Sequence, residues 1–220
     1  MAKSGPASKI HPADGGGSPT TRRALVEAAI ETLKAEGFAG SSARSIARRA
    51  GCNQGLVFYH FGSVVNLLLA ALDAVSAERL ERYSAAVDAA GSPSELVDAA
   101  ASIFEEDLDA GHVSVLVEMI AGASSTPGLG VEVADRITAW TEFARRSLEV
   151  AVGDSALTSV IPAGDIAHAV VAMYVGLEML SHLDGDRGAA LALFEHARTL
   201  AALFSVSPLS DRPVEQSATP

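Results

Sequence analysis

Residues 46–62 read "IARRAGCNQGLVFYHFG". Two arginines precede an Ala-Gly corner, and then Gly55, Leu56, Val57, Phe58, Tyr59, His60 and Phe61 follow in a row. Such a run fits a buried strand, or a short helix whose outer face meets something large. The flanks decide between them. Ser41 or Ser42 can cap a helix "ARSIARRA", Gly51 stops it at a tight corner, and Asn53 can cap "QGLVFYHF". A longer helix from Thr20 or Thr21 precedes this pair, with Ala24, Leu25, Ala28, Ala29 and Leu33 at helical spacing and Gly37 at its end. A helix of about eight residues, a short corner and a second helix of about eight have helix-turn-helix spacing.

Successive residues of a helix sit about 100° apart, so this segment cannot bury every apolar side chain. Val57 and Phe61 are expected to face a core with Leu25, Ile46 and Leu68, leaving Gln54, Gly55, Phe58 and Tyr59 outward. Exposed aromatics gain little in a purely structural helix. A DNA reader gains thymine-methyl contacts, a hydroxyl for phosphate and a Gln for a base edge, and Gly55 lets the backbone approach closely.

Charge supports a split molecule. Residues 1–62 hold eight Lys/Arg and four acids, whereas the remainder holds 8 Lys/Arg and 23 acids, within a total of −11. A basic head joined to an acidic body fits a polyanion-binding module attached to something that must avoid polyanions. Cys52 is the one cysteine; it permits no internal disulfide, fits a reducing cytoplasm, and reads as a small apolar residue rather than a sensor. The start "MAKSGPASKIHPADGGGSPTT" has no apolar signal-peptide core. Runs such as "AHAVVAMYVGLEML" read as too short to span a bilayer. A cytoplasmic location is expected.

Beyond the head, breaks at "GSPSE", "AGH", "SSTPGLG", "GDSALTSVIPAGD" and "DGDRG" separate further apolar-periodic segments. They predict helices from about Ser63 to Ala90, Pro93 to Asp109, over "VSVLVEMIAGA", to about Val152, Ala163 to Leu183 and Ala189 to Phe204. No strand-like alternation or internal repeat is visible. The expectation is an all-α chain of about nine helices. It comprises a disordered arm over 1–19, a helix-turn-helix domain over 20–66, a ligand-binding and dimerisation domain over 67–205, and a disordered tail over 206–220.

Residues 22–72 resemble the DNA-binding head of the TetR family of bacterial transcriptional regulators. The resemblance rests on "EGFAGSSARSIARRAGCNQGLVFYHFGSVVNLL", at Gly37, Phe38, Ser42, Arg44, Ile46, Ala47, Ala50, Gly51, Gly55, His60, Phe61 and Leu67. There are departures. Cys52 stands for a usual Val, Asn53 for Ser or Thr, Leu56 for a common Thr, Phe58 for Tyr, and Val64 for a Lys that meets phosphate. The resemblance implies DNA contacts from Ser42, Arg44, Asn53, Gln54, Gly55, Leu56, Phe58, Tyr59 and His60, with Arg22 and Arg23 in an N-terminal arm. The missing phosphate partners imply a shallower salt dependence than is usual in the family.

For the body, the resemblance implies an apolar ligand cavity. Its expected lining is Phe104, Leu116, Met119, Ile120, Trp140, Phe143, Met173, Tyr174 and Glu178, a set that ordinary helix-bundle core would also explain. On the eighth helix Ile166, Ala169 or Val170, Met173, Leu177 and Leu180 form one apolar stripe, and Ala167, Val171, Tyr174 and Val175 a second. The ninth helix repeats this with Leu191, Phe194, Ala197, Leu200, Ala201 and Phe204. Helices apolar on more than one side need cover on more than one side, and the resemblance implies a homodimer through this pair. Glu178 and His182, four residues apart, could hold a metal with His112 or His168, but two candidates do not make a site; no metal, cofactor or enzymatic constellation is expected. The expected function is a DNA-binding regulator, a repressor released from a palindromic operator by a small apolar or aromatic ligand. The alternative is a DNA-binding regulator whose body is purely structural.

Overall fold

The computed structural model describes residues 19–152 and 160–205. Among these the chain forms nine α-helices and no strand. The 1–18 part of the expected arm and the whole 206–220 tail lie outside the described residues. The chain divides into two compact units, at Leu72 and Asp73.

The first unit holds α1 (Pro19–Gly40), α2 (Ala43–Arg49), α3 (Gly55–Phe61) and the first part of α4 (Val64–Ala89). Gly37, with φ 70°, interrupts α1 where the sequence ends its first apolar run. The core is Leu25, Ala29 and Leu33 of α1, Ile46 and Ala47 of α2, Val57 of α3, and Leu67, Leu68 and Leu72 of α4. Burying a Leu, Ile or Val side chain contributes about 1.5–3 kcal/mol, so these side chains hold α2 and α3, two seven-residue helices that would not form alone.

The second unit holds the rest of α4, then α5 (Pro93–Ala110), α6 (His112–Ala123), α7 (Leu129–Val152), α8 (Ala163–Asp184) and α9 (Gly188–Ser205). Ser92 caps α5 by accepting from the Glu95 amide, with Pro93 in the first turn. Gly111 ends α5 in the left-handed region, φ 67°, and the chain turns directly into α6. Helices α5 and α9 pack together, as do α7 and α8, with α6 against α7 and α8. Phe104, Val113, Val115, Met119, Leu129 and Val133 form much of the core.

One expectation is corrected here. The apolar run of α8 is not too short to span a bilayer: the helix has 22 residues and is apolar enough by length and composition. Its last third nevertheless carries Glu178, buried and paired to Arg79. A buried ion pair of this kind is accounted for by the interior of a helical bundle.

Candidate nucleic-acid interface and the buried centre of the body

The helix-turn-helix is held by local bonds. Ser42 is the N-cap of α2, and it forms a reciprocal box with Ser45: the Ser45 amide donates to Ser42 Oγ at 3.1 Å, and the Ser42 amide donates to Ser45 Oγ at 2.9 Å. Ser42 therefore has its hydroxyl engaged within the unit. At the corner the Ala50 amide donates to the Ile46 carbonyl at 2.9 Å and the Cys52 amide to that of Ala47 at 3.0 Å, with Gly51 at φ 67° between them. Cys52 is half-buried, and burial pushes its thiol up from the ordinary value.

The third helix starts at Gly55 with Gln54 at its N-cap position, one residue later than the cap expected at Asn53. Asn53 Oδ1 accepts from the Gly55 amide at 2.8 Å and so fixes the start from outside the helix. A Cβ on Gly55 would sit 3.2 Å from that oxygen. Val57 is fully buried, whereas Phe58 is 52% and Tyr59 72% exposed. Asn53, Gln54, Gly55 and Arg44 are exposed, and Leu56 and His60 are half-buried. The Tyr59 and His60 rings meet edge to face with centroids 5.0 Å apart, and His60 Nε2 is a buried nitrogen with no hydrogen-bond partner. Phe61 is half-buried rather than sealed in the core, and the Arg22 guanidinium lies over its ring at 5.0 Å. Arg44 and Arg48 are exposed on α2, and Arg49 pairs with Glu36 at 3.3 Å.

In the body, the sequence-selected residues separate into two groups. Phe104, Trp140, Phe143, Tyr174 and Glu178 come together; Met119 is fully buried and Leu116 half-buried on α6. Ile120 is 36% and Met173 52% exposed, so both lie on outer helix faces and not in that cluster. Tyr83, Phe143, Trp140, Tyr174, Phe104 and Phe194 form a chain of edge-on and tilted ring contacts with centroids 5.3–6.4 Å apart.

Charge sits at the centre of these rings. Arg79 Nε donates to Asp107 Oδ2 at 2.6 Å and Arg79 Nη2 to Glu178 Oε1 at 2.5 Å. Its guanidinium lies over Trp140 at 5.1 Å and Tyr174 at 5.9 Å. Asp107 Oδ1 also accepts from Arg82 Nη2 at 2.6 Å and lies 3.1 Å from His112 Nδ1. Arg82 reaches Glu106 as well, at 3.1 Å. The Tyr83 hydroxyl donates to that of Tyr174 at 2.5 Å. Arg79, Asp107 and Glu178 are all buried.

Burial pushes the Asp107 carboxyl up, but the His112 bond and the Arg79 and Arg82 guanidiniums pull it further the other way, so it stays below its usual range. Glu178 behaves differently: burial, only partly opposed by Arg79 and reinforced by Asp107, pushes it up to about 7. Its second oxygen, Oε2, is buried with no partner. Both tyrosine hydroxyls are raised, burial first, and stay protonated.

Sequence reasoning selected Glu178 but missed Arg79, Arg82, Tyr83 and Asp107. The available signal was on α4, where Val75, Arg79, Arg82 and Tyr83 share one face at helical spacing. Glu178 and His182 do not converge: His182 is exposed, and no group of three metal-ligand residues occurs among the described residues. An open recess of about 350 Å³ at the α6–α7 turn, lined by residues including Ser124, Ser125, Thr126 and Gly128, carries no charged side chain.

Comparison with known proteins adds identity. Residues 25–71 match the family described as "Bacterial regulatory proteins, tetR family". The chain is 34% identical over 84 residues to the HTH-type transcriptional regulator BetI of Rhizobium meliloti, a stretch covering 38% of this chain and 41% of that relative. A TetR-family structure from Streptomyces coelicolor A3 superposes with a TM-score of 0.63 at 26% identity, over 84% of this chain and 98% of the other. The regulator FadR of Bacillus subtilis, in complex with stearoyl-CoA, shares the fold at a TM-score of 0.66 and 13% identity, over 81% and 96% of the two chains. Residues 25–71 thus match the head of the tetR family of bacterial regulatory proteins, and the fold along most of the chain is similar to that of solved TetR-family structures.

Proposed function

We propose that the chain is a homodimeric, sequence-specific DNA-binding regulator, a repressor, released from a palindromic operator by a small molecule bound in its body. The observation that carries the reading is the outer face of α3, where Gln54, Phe58 and Tyr59 stand exposed beside the exposed Arg44 of α2. A helix-turn-helix places its second helix in the major groove. There Phe58 supplies an apolar surface for a thymine methyl, Gln54 pairs with a base edge and Arg44 meets phosphate. Ser42, Asn53, Gly55, Leu56 and His60 complete the contact surface. Regulators of this kind act on DNA in the bacterial cytoplasm and catalyse no reaction.

Dimerisation is supported by α8, whose outer stripe of Val170, Met173 and Leu180 is exposed, and by Leu193 and Leu200 on α9. A second copy laid on this face buries it. Two heads then reach successive major grooves roughly 34–36 Å apart.

Effector binding is supported by the aromatic cluster of the body and its charged centre. Helix α4 carries both head residues, Leu67, Leu68 and Leu72, and body residues, Arg79, Arg82 and Tyr83. A ligand that rearranges the partners of Arg79 therefore acts on the helix that also belongs to the head. The expected coupling is about 1–3 kcal/mol of operator affinity.

The test is selection of bound fragments from a random DNA pool, followed by a salt titration on the winning sequence. A palindromic consensus with salt-dependent affinity supports the reading. No enriched sequence, or affinity indifferent to salt, refutes it.

A further inference from the structure

The charged centre of the body has one counterion held less firmly than the other. Asp107 engages both of its oxygens, with Arg79 on one and Arg82 and His112 on the other. Glu178 has a single bond, to Arg79, and its Oε2 is buried with nothing to accept from. Arg79 thus lies between two buried carboxylates, Asp107 and Glu178, whereas Arg82 divides its contacts between Asp107 and the exposed Glu106.

We propose that the effector is a monoanionic carboxylic acid on an aromatic or alkyl frame, whose carboxylate replaces Glu178 on Arg79 while Glu178 becomes neutral. The proposal rests on the reading of the body as effector-binding. Three observations support it. The guanidinium of Arg79 offers a planar fork suited to a carboxylate. The rings of Trp140 and Phe143, both half-buried on α7, with Tyr83 and Tyr174, supply apolar cover for a frame attached to that carboxylate. A cationic ligand has no such place, because the faces of Trp140 and Tyr174 are already covered by Arg79.

The exchange makes and breaks no covalent bond. One proton moves to Glu178, from the entering acid or from solvent, and the displaced carboxyl remains buried without charge. The groups facing Glu178 are Arg79 and Tyr83 from α4, Asp107 from α5 and Tyr174 from its own helix, with Arg82, Glu106 and His112 behind Asp107. Removing Arg79 from Glu178 takes away the one influence that lowers its proton affinity, so the neutral form is favoured once the ligand is in place. Binding of the anion is then linked to uptake of one proton and weakens as pH rises.

Trp140 is the only tryptophan in the chain, and it touches the guanidinium at issue, so its fluorescence reports this site. The experiment titrates the full-length protein with phenylacetate and octanoate, and with phenylacetamide and phenethylamine as the matched amide and amine. Expected is saturable quenching by at least one acid and none by the amide or amine, with Kd rising about tenfold per pH unit above pH 7. Calorimetry in buffers of different ionisation enthalpy should show uptake of about one proton at pH 8, a measurement that needs no variant. E178Q should bind the acid without the pH slope, and H112Q should keep the slope. Binding of neither acid at 10 mM, equal binding of the amide, or a pH-independent Kd overturns the proposal, as does loss of the slope in H112Q. An acid that binds with proton uptake but leaves operator affinity unchanged overturns ligand release and leaves this assignment standing. Intact operator binding with no acid bound does the reverse.

Discussion

Replacing Arg79 with Met tests how the body is held together. The substitution keeps an unbranched apolar stem and removes the guanidinium. Asp107 keeps Arg82 at 2.6 Å and His112 at 3.1 Å, but Glu178 loses its only bonded partner. Breaking a buried pair by removing one member costs about 3–5 kcal/mol. The surviving bonds of Asp107, and the ability of Glu178 to take a proton, place the expected loss near the bottom of that range, about 3 kcal/mol at pH 8. The loss depends on pH. In the parent protein burial pushes the Glu178 carboxyl from 4.5 up to about 7. The folded chain thus holds a proton that the unfolded chain releases, and stability falls as pH rises across that window, then levels off. Without Arg79 the carboxyl rises further, so in the variant the fall continues beyond pH 7. The gap between the two proteins should widen by up to about 1.4 kcal/mol per pH unit above 7. Urea denaturation at pH 6, 7 and 8, followed by far-UV circular dichroism at one fixed protein concentration, measures it. The double replacement R79M/E178M removes both charges and should recover most of the loss. A variant within about 0.5 kcal/mol of the parent at pH 8, a gap that narrows as pH rises, or a double replacement no better than R79M would refute the reasoning.

Other outcomes concern the head and the outer faces. Gly55→Ala places a Cβ 3.2 Å from Asn53 Oδ1 and, with α3 in the major groove as proposed, adds a methyl at the DNA-facing start of the helix; operator affinity measured by fluorescence anisotropy should fall at least tenfold while far-UV dichroism stays unchanged. Phe58→Ala, at a 52% exposed position, should leave folding intact and relax selectivity at one thymine, at a cost of about 1–3 kcal/mol; equal affinity for all four bases in the parent protein would contradict that role. Val64→Lys, at the first residue of α4, should steepen the slope of log affinity against log salt by about 0.9 for each phosphate contact formed; an unchanged slope would show that α4 begins away from the backbone. Leu180→Asp, at a 61% exposed position on α8, should convert a dimer into monomers in light scattering, and an unaltered mass would move the interface elsewhere.

The two halves differ in how far the sequence reveals them. In the head the structure is set by neighbours: Ser42 and Ser45 are three residues apart, Asn53 and Gly55 two, and Gly51 sits within the turn it permits. Such contacts leave local signatures, and the outward position of Phe58 and Tyr59 follows from helical periodicity alone. Helix ends in the body were legible for the same reason, through Ser92–Pro93, Gly111 and Gly185. The charged centre was not. Arg79 meets Asp107 across 28 positions and Glu178 across 99. A charged residue on a helix reads as solvated until its partner is known, and nothing local distinguishes Arg79, buried, from Arg145, which pairs at the surface with Glu142 and Glu149. The same blindness gives no sign that Ile120 and Met173, expected beside the aromatic residues, stand exposed on their helices.

The charged centre also constrains how this sequence can change over time. Arg79, Asp107 and Glu178 lie on three different helices and satisfy one another. Loss of Arg79 leaves Glu178 buried without its bonded partner, and loss of either carboxylate leaves the buried Arg79 with one in place of two, so the first step of a replacement carries most of the penalty and the second step offsets it. Neighbouring Phe143 and Phe194, which meet their partners through ring edges, can be exchanged one at a time for other apolar residues at modest cost. Among descendants of this chain the three charged positions should therefore turn over together, within short intervals, or not at all, while the rings around them drift independently.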